Sequence, residues 1–296
     1  MAKTLGLIFL AIIPVILICT YIYRKDKNKE PGKLLVMLFG LGLLSCAVTL
    51  TLFKGICFIF PFMAQDTSAM NFFEIMTYSF IGVALIEEFS KWIMVYFAGY
   101  SHRAYDEIYD GIVYSVYVSL GFAGLENLMY VLNYQSLTVG IQRGILSVPG
   151  HACDAVFMGY YLSLAKTYAY RGRKDLERKN LLLSVVVPTI LHGFYDFCLF
   201  SGNNILMSLF LAFVVALYWI SIKKIKQLAN PALDKKIKEM NYNQNLVNNN
   251  QINTSQTKKD SNNNLQVVNN KQLIKCKSCG IQYTGDYCPK CGTRRS

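Results

Sequence analysis

Acidic residues are scarce in this chain, 18 against 30 lysines and arginines, and only three histidines occur in 296 residues. The resulting net charge of +12 would suggest nucleic acid in a soluble protein. Much of that charge, however, falls in short loops between apolar runs and at the start of the tail, where membrane topology and attraction to anionic lipid account for it. No nucleic-acid partner is expected. The first apolar run, residues 5–23, lacks a small-x-small cleavage site and is followed directly by basic residues, so it reads as a retained span and not as a removed signal. No convincing internal repeat is present, which counts against the duplicated architecture frequent in transporters. Cys19, Cys46, Cys57, Cys153 and Cys198 have no paired spacing and read as small buried hydrophobes.

What the chain does have is apolar length. Hydrophobic residues make up 53% of it, and mean hydropathy is positive although the last quarter is polar. Seven stretches approach the roughly 20 apolar residues that cross a hydrocarbon layer: 5–23, 34–53, 72–98, 108–134, 145–168, 181–200 and 205–222. The fold class is therefore an all-α polytopic membrane protein with about seven transmembrane helices, embedded in the lipid bilayer. Basic residues gather in alternate loops: Arg24, Lys25, Lys27, Lys29 and Lys33; Arg103; Lys166, Arg171, Arg173, Lys174, Arg178 and Lys179; then Lys223, Lys224 and Lys226. The opposite loops hold only Lys54 and Arg143. This asymmetry predicts a multi-pass protein with its N-terminus outside and its C-terminus in the cytoplasm.

Composition changes after the last apolar run and divides the chain into 1–222, the membrane domain; 223–271, a linker; and 272–296, a small module. The linker is basic and then rich in Asn and Gln, and it buries too little apolar surface to offset its ordering entropy, so it is expected to be disordered. The module carries Cys276, Cys279, Cys288 and Cys291 as two Cys-x-x-Cys knuckles. Four thiolates at that spacing form a tetrahedral structural zinc site, and so small a unit has almost no core without the metal. A disulfide pair is the lesser reading in a reducing compartment. Gly280 and Gly292 follow the second cysteine of each knuckle, where a tight turn needs a permissive residue.

The membrane domain contains charges that lipid would penalise by roughly 2.5–3.5 kcal/mol each at mid-bilayer. Glu87, Glu88 and Lys91 lie in the third run, Glu126 and Asn127 in the fourth, His151 and Asp154 in the fifth, His192 and Asp196 in the sixth. They are expected to face one another in a wet interior. Helical spacing lets Lys91 reach either glutamate, and puts Asp196 one turn after His192, where it can fix the imidazole tautomer or join as a ligand. The bland readings are an intrahelical ion pair for the first group and interhelical hydrogen bonding for Glu126 and Asn127; Asp154, one turn after His151, is given no role. Gly121 and Gly124 would let a neighbouring helix approach closely. With a rise of about 1.5 Å per residue, Glu87 falls near the midplane, and Glu126, His151 and His192 between it and the outer half.

Taken in order, Glu87-Glu88-x-x-Lys91, Phe122-x-x-x-Glu126 with Asn127, His151, and His192-x-x-x-Asp196 resemble the PrsW-type intramembrane protease family, related to the CAAX prenyl protease and Abi group. The resemblance spans roughly 72–200 and leaves out the cysteine module. The CAAX enzymes are similar but carry His where this chain has Glu126, which disfavours prenylated substrates. The resemblance implies a bacterial plasma-membrane peptidase cutting membrane-anchored regulators such as anti-sigma factors, with Glu87, Glu88, Lys91, Glu126, Asn127, His151, His192 and Asp196 as the catalytic set. Two mechanisms stay open: a catalytic divalent metal held by Glu126, His151 and His192 with Glu87 or Glu88 as base, or a metal-free glutamate base with the histidines stabilising the oxyanion. Two other functions compete, a proton- or ion-coupled transporter using the same acids and a non-catalytic scaffold displaying the zinc module to a cytoplasmic protein partner.

Overall fold

The computed structural model describes residues 2–242, 274–283, 287–288 and 290–294. Its first part is a helical bundle. α1 (Ala2–Lys25) ends on Arg24 and Lys25, whose charges favour the carbonyl end of a helix, and α2 (Gly32–Ile59) starts after Pro31. α3 (Phe72–Thr77) opens with a capping box in which Asn71 accepts from Phe73 N and Glu74 N, and Glu74 accepts from Asn71 N. It runs without a break through a π-helical stretch, Tyr78–Leu85, into α4 (Ile86–Val95) and a second π-helical turn, Tyr96–Tyr100. α5 (Asp110–Tyr134) follows, then α6 (Leu137–Gln142), which passes through a π-helical turn, Arg143–Ser147, into α7 (Val148–Tyr170). α8 (Lys174–Phe200) and α9 (Asn204–Leu228) complete the bundle.

Among the described residues, five helices are long and apolar enough to cross a membrane: those at Thr4–Lys25, Gly32–Ile59, Asp110–Tyr134, Lys174–Phe200 and Asn204–Leu228. The expected count of seven is not reached on this measure. The runs at 72–98 and 145–168 are helical along their length, but π-helical turns divide them and they carry Glu87, Glu88 and Lys91, or His151, Asp154 and Lys166. Such π-helical turns recur at functional sites because the extra residue re-aims the side chains around it.

Of these five helices α5 is the most enclosed, with 67% of its apolar window buried against 22% for α1 and α9. It packs against α1, α2 and α7 around a core that includes Leu38, Ile112, Val118, Met158 and Leu162. Two glycine seams bring backbones together. A Cβ at Gly121 would stand 3.1 Å from Gly42 Cα on α2, and one at Gly159 on α7 would stand 2.6 Å from Ile112 Cα on α5. The expected close approach thus belongs to Gly121; Gly124 meets only the side chain of Val15, at 3.5 Å. Gly159→Leu should therefore force α5 and α7 apart and destabilise the bundle by about 2–3 kcal/mol, to be read as a lowered midpoint of thermal unfolding in detergent; an unchanged midpoint would contradict the packing described.

The basic loops meet at one end. Asn28 donates to Glu107, Ile108 N donates to Asp234 Oδ1 at 3.1 Å, Lys238 lies 3.7 Å from Glu107, and Arg171 Nε donates to Asn241 Oδ1 at 2.7 Å. The segment expected as linker is therefore helical at its start: α9 continues to Leu228 and a further helix covers 231–242. The expected disorder of its remainder lies outside the described residues. Glu30, between α1 and α2, is buried and accepts Tyr114 Oη–H at 2.6 Å. Burial pushes its carboxyl up to about 7. A raised folded value means its contribution to stability is complete below the ordinary carboxylate range and is lost as pH rises through about 7. Glu30→Gln should leave Tm unchanged near pH 4 and raise it at pH 8, by roughly 2–4 °C for each kcal/mol recovered.

The cysteine module is a two-stranded antiparallel ribbon, β1 (Ile274–Lys275) with β2 (Gln282–Tyr283), pairing Ile274 with Tyr283. Its two knuckles have the same backbone pattern, Gly280 N to Cys276 O and Gly292 N to Cys288 O, each at 2.9 Å. Both glycines are left-handed, at φ +75 and +74, which is why each turn closes on that residue.

Candidate active site

α4, α5, α7 and α8 deliver ionisable side chains to one point inside the bundle. On α4, Lys91 Nζ lies 2.8 Å from Glu88 Oε1 and 3.4 Å from Glu87 Oε2. Consecutive helical residues point about 100° apart, so the two glutamates acquire different surroundings. Glu87 borders a cavity, whereas Glu88 is fully buried and its Oε1 also lies 2.9 Å from His192 Nδ1.

His192 on α8 reaches Asp196 Oδ2 through Nε2 at 3.4 Å, one turn onward. His151 on α7 stands edge-on to it, with ring centroids 5.1 Å apart. Its Nε2 lies 3.0 Å from Glu126 Oε2 and its Nδ1 3.1 Å from Lys91 Nζ. A carboxylate at Nε2 places the proton there and leaves the Nδ1 lone pair free for the ammonium or, in its stead, a metal ion. Arg143, on the π-helical turn before α7, holds Glu126 from the other side at 2.7 Å, packs 3.8 Å from the centroid of the Tyr130 ring and donates through Nε to Asn127 Oδ1 at 3.2 Å.

The cavity has a volume of ≈ 670 Å³. Its polar wall is formed by Glu87, Glu126, Arg143, His151, Asp154, His192 and Asp196, and its apolar wall by Leu50 and Phe53 of α2, Leu199 and Phe200 of α8, and Met207, Phe210 and Leu211 of α9. Five carboxyl groups thus converge with two fixed cations, Lys91 and Arg143. Among side chains this buried, that excess of negative charge favours protons or a further cation.

Two atoms show where a cation would fit. Glu88 Oε2 and Asp154 Oδ1 are buried without a hydrogen-bond partner. Donor atoms of Glu88, His151, Asp154 and His192 all lie within 4.8 Å of one another. Two imidazoles and two carboxylates suit a divalent metal of the zinc type, so the residues present fit one. This donor set differs from the expected Glu126, His151 and His192. Glu126 is turned toward Arg143 and Nε2 of His151, while Glu88 and Asp154, the latter given no role from sequence, lie in the group.

Of the residues singled out from sequence, Glu87, Glu88, Lys91, Glu126, His151, His192 and Asp196 come together here. Asn127 does not face the cavity. Its Nδ2 donates to Ala11 O at 3.1 Å, joining α5 to α1, while its Oδ1 steadies Arg143. Arg143 was missed, though a signal existed: it is one of only two basic residues in the loops on its side of the bundle. In the module, Cys276 and Cys291 Sγ are 3.4 Å apart, as are Cys279 and Cys288 Sγ. That is too long for a disulfide bond of about 2.05 Å, and all four thiols form one group within 4.8 Å.

Residues 30–222 match the family model described as PrsW family intramembrane metalloprotease. The chain is 36% identical to Protease PrsW of Oceanobacillus iheyensis over 75% of its own length and 96% of that protein. It is 38% identical to Protease PrsW of Geobacillus kaustophilus, over 75% and 92%, and 34% identical to that of Bacillus subtilis, over 75% and 95%. No solved structure matches it.

Proposed function

This chain belongs to the PrsW family of intramembrane metalloproteases and is a membrane-embedded peptidase; we propose that it cuts membrane-anchored regulatory proteins of the anti-sigma-factor kind, using Glu87 to activate the attacking water. The observation that carries this reading is the division of labour between two adjacent glutamates. Glu87 borders the cavity, while Glu88 is locked between Lys91 and His192. A general base must reach both the water and the substrate, and only Glu87 of the pair has that access.

The apolar wall from Leu50 and Phe53 to Met207 and Leu211 holds an extended peptide by its side chains and excludes bulk water. Its carbonyl is set against the polar wall, where Arg143 and the histidines offset developing negative charge. Lys91 holds Glu88 in place. Glu126 orients His151 by accepting from Nε2. A divalent metal held by His151, His192, Glu88 and Asp154 would supply polarisation of that carbonyl and acidify the water. The leaving amine takes its proton back from Glu87.

The four module cysteines hold a structural zinc in this reading, and the shared end of the basic loops faces the cytoplasm, with the N-terminus outside. Metal analysis tests the first point. The full chain should contain about one zinc more per molecule than a chain ending at residue 242; equal contents would exclude the knuckle site. For the activity, a single-span regulatory protein co-expressed with this chain should appear as a shortened, membrane-associated fragment. An intact substrate at normal expression of the enzyme would refute the substrate class.

A further inference from the structure

Lys166, fifteen residues beyond His151 on α7, is only 3% exposed. Its ammonium donates to Tyr100 O at 2.6 Å and faces a cage of four tyrosine rings. Three belong to the bundle: Tyr105, Tyr100 and Tyr170, with centroids at 4.7, 5.2 and 5.9 Å. The nearest wall, at 4.4 Å, is Tyr287, which the second knuckle of the cysteine module supplies. Tyr287 also meets Tyr170 edge-on at 5.3 Å. Aromatic faces stabilise a cation most where water is excluded, so the fourth wall matters more than its share of the ring area.

The knuckle glycines show that this seat is one-sided. A Cβ at Gly292 would stand 3.0 Å from both Asp106 Cβ and the Tyr170 oxygen, whereas one at Gly280, the equivalent turn, would meet only the tip of Lys275 at 3.8 Å. The turn glycine of the second knuckle is pressed onto the bundle, and that of the first knuckle is not. The module lies beyond the family-matched region, which ends at residue 222.

We propose that the cysteine module is a metal-dependent clamp, closing the tyrosine cage over Lys166 and so holding the basic end of α7 and the 101–109 loop. A unit this small keeps its turns only while its thiolates share a metal. Loss of that metal then frees the end of the same helix that carries His151 and Asp154, roughly 18–22 Å along its axis. The proposal stands apart from the peptidase reading, since its test measures no cleavage.

The test is amide hydrogen exchange on the full chain in detergent, followed at residues 101–109 and 164–172. Three perturbations are compared: a zinc chelator, Tyr287→Ala, and Asp106→Trp. The last changes an exposed position, leaves the module's own residues intact and blocks the seat of Gly292, so it answers the question even where Tyr287→Ala loses its zinc. Each should accelerate exchange there by about tenfold, as expected for release of a local cooperative unit. Tyr287→Phe, which keeps the ring, should stay much closer to the wild type than Tyr287→Ala, and equal acceleration in the two would overturn the role of the ring. Unchanged exchange in Asp106→Trp would overturn the clamp, whatever the chelator does. Acceleration in Asp106→Trp with no effect of chelation would overturn its dependence on metal.

Discussion

Glu87→Gln should reduce substrate cleavage by about 10²–10⁴-fold, the usual weight of a positioned general base, while expression and thermal midpoint stay near those of the wild type. The side chain borders an open cavity and its contacts to Lys91 and His192, at 3.4 and 4.0 Å, are long. An amide of the same shape preserves packing and removes only the capacity to take a proton. Glu87→Asp should recover part of the rate because the carboxylate is kept, although it is withdrawn by one methylene. Cleavage by Glu87→Gln at the wild-type rate would show that the base lies elsewhere, and Glu88 would be the next to examine.

Changing Lys91 should produce the largest loss of stability. Lys91→Met leaves Glu88 fully buried with its nearest cation gone, and breaking such a pair from one side typically costs 3–5 kcal/mol. Glu88→Gln strands the ammonium in the same way, although Glu87 at 3.4 Å tempers that loss. The double variant Glu88→Gln/Lys91→Met removes both charges and should regain most of the lost stability. It should not regain activity, because the oxygen beside His192 Nδ1 has lost its charge. Unfolding of the four proteins in one detergent closes the cycle. Strictly additive losses would mean that the two side chains do not act as a pair, and restored cleavage in the double variant would confine Glu88 to a structural role.

Parts of the site were legible before any coordinates. Helical periodicity alone places Lys91 within reach of both glutamates and Asp196 one turn from His192, and the measured distances follow that spacing. The cysteine knuckles were equally plain, because ligand spacing within a short turn is local. What could not be read was the partner of each group across helices. Glu126 looked equivalent to the other acids, yet Arg143 turns it aside, and Asp154 looked dispensable, yet it closes the donor group. Those outcomes depend on the rotation of α5 against α7, and the seam of Gly159 against Ile112 constrains that rotation through backbone contacts that leave no periodic trace in sequence. The membrane count was blurred for a related reason: π-helical turns divide two of the polar runs, and hydropathy falls where function puts charge.

By itself, the sequence determined that the chain lives in lipid, that its ionisable residues must turn inward, and that four thiols at its end form one group, since each of these follows from local spacing and the cost of exposing charge to hydrocarbon. Only the tertiary structure decided which glutamate meets the cavity, which carboxylates converge with the two imidazoles, and that Tyr287 completes a cage on α7. Those choices rest on how helices far apart in sequence rotate and press together, and packing is a property of the whole bundle.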